Sequence, residues 1–448
     1  MENSPPGWPG ITWIEGRTLL QIPNIEGQGK WRIGPAKKTD SPVFHNVAMA
    51  NNRTRSTLLL GLAIRNKWLV KNGKLRVLDG LAASSLRSRR WLNELPPELA
   101  KQIDVVSVDR DEESVSWALA NHEKHPPKNA ETNQLSIQKG DLRQLVYSGG
   151  WQWIDIDPYG SPIPFLDAAM QNLARKAILQ VSATDTAALC GTYPQVTRRR
   201  YAAYAINDAV AHDTAMRILL GNIAQCAARH ERSIEPLISV FDGHHVRVSV
   251  LVTPGKKNAS NVYENLGWRV NEPDSKTIAA SIKAGLHSFK CSKIPQPRVF
   301  LPYNSPPESL ANGNVSGPLW IGSLAKSAVL EELTEEYALE VCGLSYEKDA
   351  HIISLAGWKK EDVQISNKGV VRSIEKLYRS KNAINTNGLV TVDELPQWID
   401  IMGPPSPKKV VLALIKHGFK ASISPISTPA IQTNAPWDEF IKIIKNLD

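Results

Sequence analysis

The chain has 448 residues, 42% of them hydrophobic and thirteen of them Trp, which is enough for two or three cored domains. Its longest apolar runs, such as Ser56 to Ile64, stop well short of the roughly 18 residues that a membrane span needs, and the opening MENSPPGWPG lacks the charged-then-apolar shape of a signal peptide. A cytoplasmic protein is expected, and its 53 Lys+Arg against 44 Asp+Glu, a formal net charge of +9, favours a polyanionic partner.

Read for period, the first half alternates short apolar runs with amphipathic ones, the pattern of a parallel sheet with crossover helices. KLRVLDGLA reads as a strand and SSLRSRRWLNEL as its helix; DVVSVDRD and EESVSWALANHE form the next such pair. LSIQKGD is a short third strand and WQWIDIDPYG a fourth, followed by the helix PFLDAAMQNLARK and the strand AILQVSATD. A long helical stretch is expected from Val196 to Glu231, and then two strands joined by DGHH, an antiparallel hairpin closing the sheet. The expected fold class is therefore α/β, a doubly wound sheet with a terminal hairpin.

In such sheets ligands bind outside the carboxyl ends of the strands. Asp79, Asp109 and Asp157 each end an apolar run, and Asp141 ends the weaker run between them. A single such Asp could be a helix cap or a solubilising group; a series of four points to a site. The first turn, DGLAASS, has no GxGxxG, so a ligand without a pyrophosphate fits better than a dinucleotide. S-adenosylmethionine is such a ligand: Asp109 would accept from the ribose hydroxyls and Asp141 from the adenine amine.

A carboxylate followed by Pro and an aromatic at the fourth strand end, Asp157, Pro158 and Tyr159, is similar to the signature of amino-methyltransferases. An exocyclic amine is a poor nucleophile because its lone pair is delocalised into the ring. Asp157 and the Pro158 carbonyl can accept its two hydrogens, Asp157 can take the proton, and Tyr159 can stack on the base. Asp155, on the same strand face, is expected to be structural. Two basic clusters, LRSRRW at Leu86 to Trp91 and TRRRYAAY at Thr197 to Tyr204, fit either nucleic-acid contacts or solvated helix faces.

Over nearly its whole length the chain resembles the tRNA (guanine-26-N2)-dimethyltransferase family, in particular its archaeal members. The resemblance rests on SPVFHNVAMANNR, DIDPYGSP, ATDTAALCG, HDTAMRIL, GPLWIGSL, HGFKAS and TNAP. It implies a class I, Rossmann-like methyltransferase that moves one methyl group, and usually a second, from S-adenosylmethionine to the N2 amine of a tRNA guanosine. It also implies cofactor contacts from Arg53, Arg87, Asp109, Asp141 and Leu142, with Asp157 as the catalytic carboxylate; Arg53 and Arg87 suit the methionine carboxylate. His212 and Arg217 match a further family motif whose role stays open. The chain departs from the family where Thr54 replaces an acid, where Ser85 and Ser88 replace glycines, and where Ala430 replaces another; a Cβ in the first turn is expected to crowd the cofactor.

Residues 1–265 are expected to form the methyltransferase domain with its N-terminal extension, and residues 266–448 a C-terminal tRNA-binding domain. There GKKNASN reads as a connector and the segment from Cys291 to Gly317 as loop. Thr391 and Glu394 read as a capping box, and Ser406-Pro407 opens a helix that Gly418 ends, followed by a strand pair: a winged-helix-like α+β unit. Cys190, Cys226, Cys291 and Cys342 form no CxxC pair, and His244-His245 stand at no ligand spacing, so neither disulfides nor a metal are expected. The partners expected are tRNA and no membrane, the state a monomer. Two other readings are an amino-methyltransferase of another RNA base and a non-catalytic tRNA-binding protein that assists folding.

Overall fold

The computed structural model describes residues 4–24, 43, 45–70, 73–287, 296–308 and 313–447. Two compact units result, each built from separated segments: residues 1–158, 167–181 and 332–375 make the first, and residues 159–166, 182–331 and 376–448 the second. No single cut of the chain separates them.

The first unit opens with a hairpin that the sequence reading did not assign, β1 (Ile11–Glu15) and β2 (Thr18–Ile22), joined by the two-residue turn Gly16-Arg17. Gly16 has a φ of +55°, and a Cβ there would lie 2.3 Å from Glu94 Oε1; only glycine allows both the turn and this approach. After helix α1 (Ala50–Arg65), buried along nearly its whole length, the elements follow the expected order. They are β3 (Leu75–Gly80), α2 (Leu86–Glu94), β4 (Ile103–Asp109), α3 (Glu112–Lys124), β5 (Leu135–Lys139), β6 (Trp151–Ile156), α4 (Ile163–Asn172) and β7 (Leu173–Ala183). Strands β5, β4, β3, β6 and β7 lie side by side in that order, all parallel. Val77, Leu78, Trp153, Ile154 and Ile156 are fully buried, as strands covered on both faces require.

In the second unit the long helix expected from Val196 to Glu231 is two helices, α5 (Pro194–Tyr201) and α6 (Ala211–Arg229). The break has a tertiary cause: Ala202 turns to a φ of +49° and Tyr204 exchanges both backbone hydrogen bonds with Gly317, at 2.7 and 2.8 Å. Strands β8 (Arg232–Phe241) and β9 (Val246–Pro254) pair antiparallel across the DGHH turn, as expected. The GKKNASN segment is mainly exposed but helical, not a simple connector.

The segment expected to be loop contains strands β11 (Arg298–Pro302) and the start of β12 (Val315–Trp320), which flank β10 (Leu266–Asn271). Residues 291–295 and 309–312 of it, Cys291 included, lie outside the described residues. Further on, β13 (Gly388–Thr391), α7 (Pro407–Lys416), β14 (Ala421–Ile423), β15 (Ala430–Thr433) and α8 (Trp437–Lys445) surround one apolar cluster with Leu395, Leu414 and Phe440 at its centre. The strand order β13-β15-β14 and the helix opening at Pro407 match the winged-helix-like expectation. Thr391 differs: its hydroxyl donates to the Glu394 carboxylate and caps no backbone N–H. Ala430 is fully buried at the start of β15. Among the described residues Cys190, Cys226 and Cys342 form no disulfide, and no helix is long and apolar enough to cross a membrane.

Candidate active site

Parallel register brings four polar side chains into one row across the sheet. Asp79 on β3 is the partner of Ser107 on β4 and of Asp155 on β6, and Asp155 is in turn the partner of Gln180 on β7. All four are buried. Helices α1 and α2 complete the row from above: Ser56 donates to Gln180 at 2.7 Å, Ser88 donates to Asp79 at 2.7 Å, and the Ser85 and Ser107 hydroxyls share a 2.6 Å hydrogen bond.

Arg87 stands at the centre of this polar layer. Its guanidinium donates to Asn52 Oδ1 at 2.8 Å, lies 3.4 Å from Asp155 and 3.6 Å from Asp79, and pairs directly with Asp157. Side chains alternate along a strand, so Asp157, two residues beyond Asp155, continues on the same face at the carboxyl edge. Three carboxylates share one guanidinium. Burial pushes the Asp79 carboxyl up to about 7 against the pull of Arg87, and the same carboxylates raise Arg87 despite its own burial.

Arg53 is held one layer away. Its Nε and Nη2 both bind Glu15 on β1, at 2.6 and 2.5 Å, and Nη2 also reaches the Asn46 carbonyl at 2.9 Å. Glu15 further accepts from Arg90 at 3.0 Å, and Arg90 is closed by Glu94 at 2.6 and 2.8 Å. Burial alone would raise the Glu15 carboxyl, but Arg53 and Arg90 outweigh it and hold it down at about 2. Thr54, where the resemblance expects an acid, accepts from Arg90 at 3.0 Å, so Glu15 and Glu94 supply the charge there.

The turn between β3 and α2 is the most strained segment near the site: Leu81, Ala83 and Ser85 have φ of +61°, +47° and +55°, each costing about 1–2 kcal/mol for a residue with a Cβ. The Ser85 side chain is buried against β4 through Ser107, and its left-handed φ puts a cost in the backbone. Asp109, at the end of β4, anchors the turn by accepting from Ala83 N at 2.8 Å and from Asp111 N at 2.9 Å. Asp141 caps the short helix Leu142–Leu145 and binds the Arg143 guanidinium at 2.7 Å, which with Arg110 holds its carboxyl down at about 2. Leu142 is buried against Gly80, where a Cβ would come within 2.6 Å of its Cδ2.

Pro158 is buried at the end of the first unit. Tyr159 opens the second with a side chain 53% exposed. Next to it Gly160 exchanges hydrogen bonds with Thr184, at 2.6 and 3.0 Å. Arg217 has a local partner, Asp213, at 2.7 Å; Arg269 also binds Asp213, and His212 stacks on Phe241 at 3.9 Å. Asp213, Arg217 and Arg269 thus form a buried charge cluster of the second unit, while His212 is exposed. Sequence reading missed Asn52, Ser56, Gln180 and Glu15; the polar positions four apart on α1, Asn52 and Ser56, carried a local signal.

A doubly wound sheet with carboxylates at its strand ends and no glycine-rich phosphate turn defines the class: a Rossmann-like class I methyltransferase fold. Residues 27–445 match the family model described as N2,N2-dimethylguanosine tRNA methyltransferase, and the chain belongs to that family. The tRNA (guanine(26)-N(2))-dimethyltransferase of Pyrococcus furiosus is 28% identical over 428 residues, covering 94% of this chain and 97% of that enzyme. The enzyme of the same name from Thermoplasma acidophilum is 35% identical over 257 residues, covering 57% of this chain and 65% of that one. The structure of Trm1 from Pyrococcus horikoshii with S-adenosyl-L-methionine superposes with a TM-score of 0.71 at 22% identity, over 97% of this chain and 99% of that one.

Proposed function

We propose that this chain transfers one and then a second methyl group from S-adenosylmethionine to the N2 amine of guanosine 26 in tRNA, as a cytoplasmic monomer. The observation that carries the reading is Asp157: a carboxylate at the carboxyl end of β6, oriented by a buried guanidinium, in a chain of this family. The cofactor supplies an electrophilic methyl group on a sulfonium.

The surrounding residues fit such a ligand. A strand-edge layer with more carboxylates than guanidiniums suits a cationic centre. Asp109 takes the ribose hydroxyls and Asp141 the adenine amine, while Leu142, packed on Gly80, gives the ring an apolar wall. Arg53 and Arg87 face the methionine carboxylate, each keeping its buried carboxylate partner as a support. Asp157 and the Pro158 carbonyl accept the amine hydrogens of guanine, which returns electron density to the nitrogen. Asp157 would then take the proton that the amine sheds as its nitrogen gains the methyl group, the methyl–sulfur bond of the sulfonium breaking to leave a neutral thioether. Tyr159, exposed at the turn, stacks on the base and holds it in line. Residues 1–265 carry this chemistry and residues 266–448 supply contacts to the tRNA body.

The test is methyl transfer from labelled S-adenosylmethionine to an unmodified tRNA transcript, followed by nucleoside analysis. Wild type yields N2-methylated guanosine at position 26, and Asp157→Asn lowers the rate at least about 100-fold with cofactor affinity retained. Methyl label on another base would replace guanosine as the substrate. A second reading, a tRNA-binding protein without catalysis, draws on the three left-handed residues of the cofactor turn; tight tRNA binding by wild type with no transfer would establish it.

A further inference from the structure

Helix α5 and the turn before it form a basic surface that no part of the proposed chemistry uses. Arg198 and Arg199 are exposed, Tyr193 is 58% exposed, and the Arg198 guanidinium lies over the Tyr204 ring at 4.9 Å. Between Asp185 and Asp208 the chain carries no carboxylate. Among the described residues neither Arg198 nor Arg199 has a carboxylate partner, whereas Arg200 is paired with Asp185 at 3.1 Å.

The surface is rigidly mounted. Tyr201 donates its hydroxyl to Asp185 at 2.6 Å and is also hydrogen-bonded to Ser161. Thr197 is buried and donates to the Ala188 carbonyl. Gly191, at a φ of +84°, brings the turn so close to Ala205 that a Cβ would lie 2.6 Å from its carbonyl oxygen. These anchors also fix where the surface sits. Ser161 belongs to the Tyr159 turn, and Thr184, the neighbour of Asp185, is hydrogen-bonded to Gly160 of that turn. The arginine helix and the exposed Tyr159 therefore share one hydrogen-bonded frame within the second unit.

From this juxtaposition we infer that Arg198 and Arg199 bind the phosphodiester backbone of the RNA beside the nucleotide whose base stacks on Tyr159, with Tyr193 offering a stacking face to a neighbouring unpaired base. The inference rests on the proposed function above for the identity of the RNA. Its physical basis is separate: unpaired guanidiniums on a pre-ordered helix bind phosphates bidentately at little entropic cost, and each phosphate neutralised releases condensed counterions.

The experiment is equilibrium binding of unmodified tRNA transcript to the full chain between 50 and 200 mM salt. Wild type is compared with Arg198→Gln/Arg199→Gln and with a control, Lys74→Gln/Lys101→Gln, whose exposed lysines precede β3 and β4 at the amino ends of those strands. The arginine variant lowers the slope of log affinity against log salt by about 2 and weakens binding roughly tenfold or more at 0.1 M salt, while the control keeps the wild-type slope. S-adenosylmethionine affinity, unchanged in both variants, verifies the fold. In methyl transfer the arginine variant raises KM for tRNA and retains kcat at saturation.

A wild-type slope in the arginine variant overturns the inference, and so does a loss equal to the control's. If wild type methylates tRNA and the variant's slope is unchanged, the surface assignment alone fails. If wild type neither methylates nor binds tRNA, the proposed function fails and takes the surface with it.

Discussion

Replacing Arg87 by Gln tests whether one guanidinium holds three carboxylates in place. Asp79 and Asp155 are essentially fully buried and the Asp157 side chain is 15% exposed, so removing the shared counter-charge leaves uncompensated charge in a region of low dielectric. Breaking a buried ion pair in this way costs about 3–5 kcal/mol. The loss depends on pH with a fixed sign. With Arg87 present, burial already raises Asp79 from 3.8 to about 7. A carboxyl raised on folding opposes the fold increasingly as pH climbs between those values, because the unfolded chain ionises first. Without Arg87 the opposition grows, so the gap between wild type and variant is largest at pH 8 and shrinks at pH 5, where Asp79 is protonated. One pKa unit is worth about 1.4 kcal/mol, and between pH 8 and pH 5 the gap narrows by up to about that much, since Asp79 already titrates at about 7 with Arg87 present. The assay is urea unfolding at the two pH values, followed by Trp fluorescence. Trp91 and Trp153 are fully buried, edge to face at 6.2 Å in the first unit, and report on this region. A loss below about 1 kcal/mol, or one equal at both pH values, would refute the shared-charge account.

Two other perturbations follow from the same unit. In Glu15→Gln the carboxylate that Arg53 and Arg90 hold down at about 2 is gone; wild type loses about 3 kcal/mol as pH falls from 4.5 towards 2, and the variant shows a flatter thermal-melting profile over that window, starting from a lower Tm at pH 7. Gly80→Ala drives a Cβ to 2.6 Å from Leu142 Cδ2 and 2.9 Å from the Asp155 carbonyl oxygen. This overpacking costs about 1–3 kcal/mol and weakens S-adenosylmethionine binding about tenfold by calorimetry; adding Leu142→Ala restores the melting temperature in part.

Much of the methyltransferase half was legible because its signals are local. Strands read from apolar runs gave the alternation of β3 to β7 with their helices, and the carboxylates at the ends of those runs, Asp79, Asp109, Asp141 and Asp157, do fall at or just after carboxyl ends of strands or at the helix cap that follows. What escaped depended on distant partners. The row Ser107, Asp79, Asp155 and Gln180 is a product of strand register, and no apolar pattern specifies it for strands buried on both faces. Glu15 meets Arg53 and Arg90 only after the β1–β2 hairpin has packed. That hairpin had a signal, the alternating ITWIE and TLLQI around Gly16-Arg17, of the kind a two-residue turn needs. The break between α5 and α6 had none, since it answers to Gly317, more than a hundred residues away.

The discontinuous first unit also sets an order on synthesis. Its segments end at Val181 and resume at Glu332, and the 150 residues from Ser182 to Glu331 belong to the other unit. At about 5–20 residues per second, a ribosome takes about 8–30 s to cross that gap. Throughout it the nascent sheet lacks the Tyr337 hydroxyl, which donates to the Leu58 carbonyl at 3.0 Å, and the Asp349 carboxylate, which meets Arg17 at 3.2 Å. Helix α1 and the N-terminal hairpin thus emerge first and acquire these contacts among the last, well after strands β3 to β7 have been made.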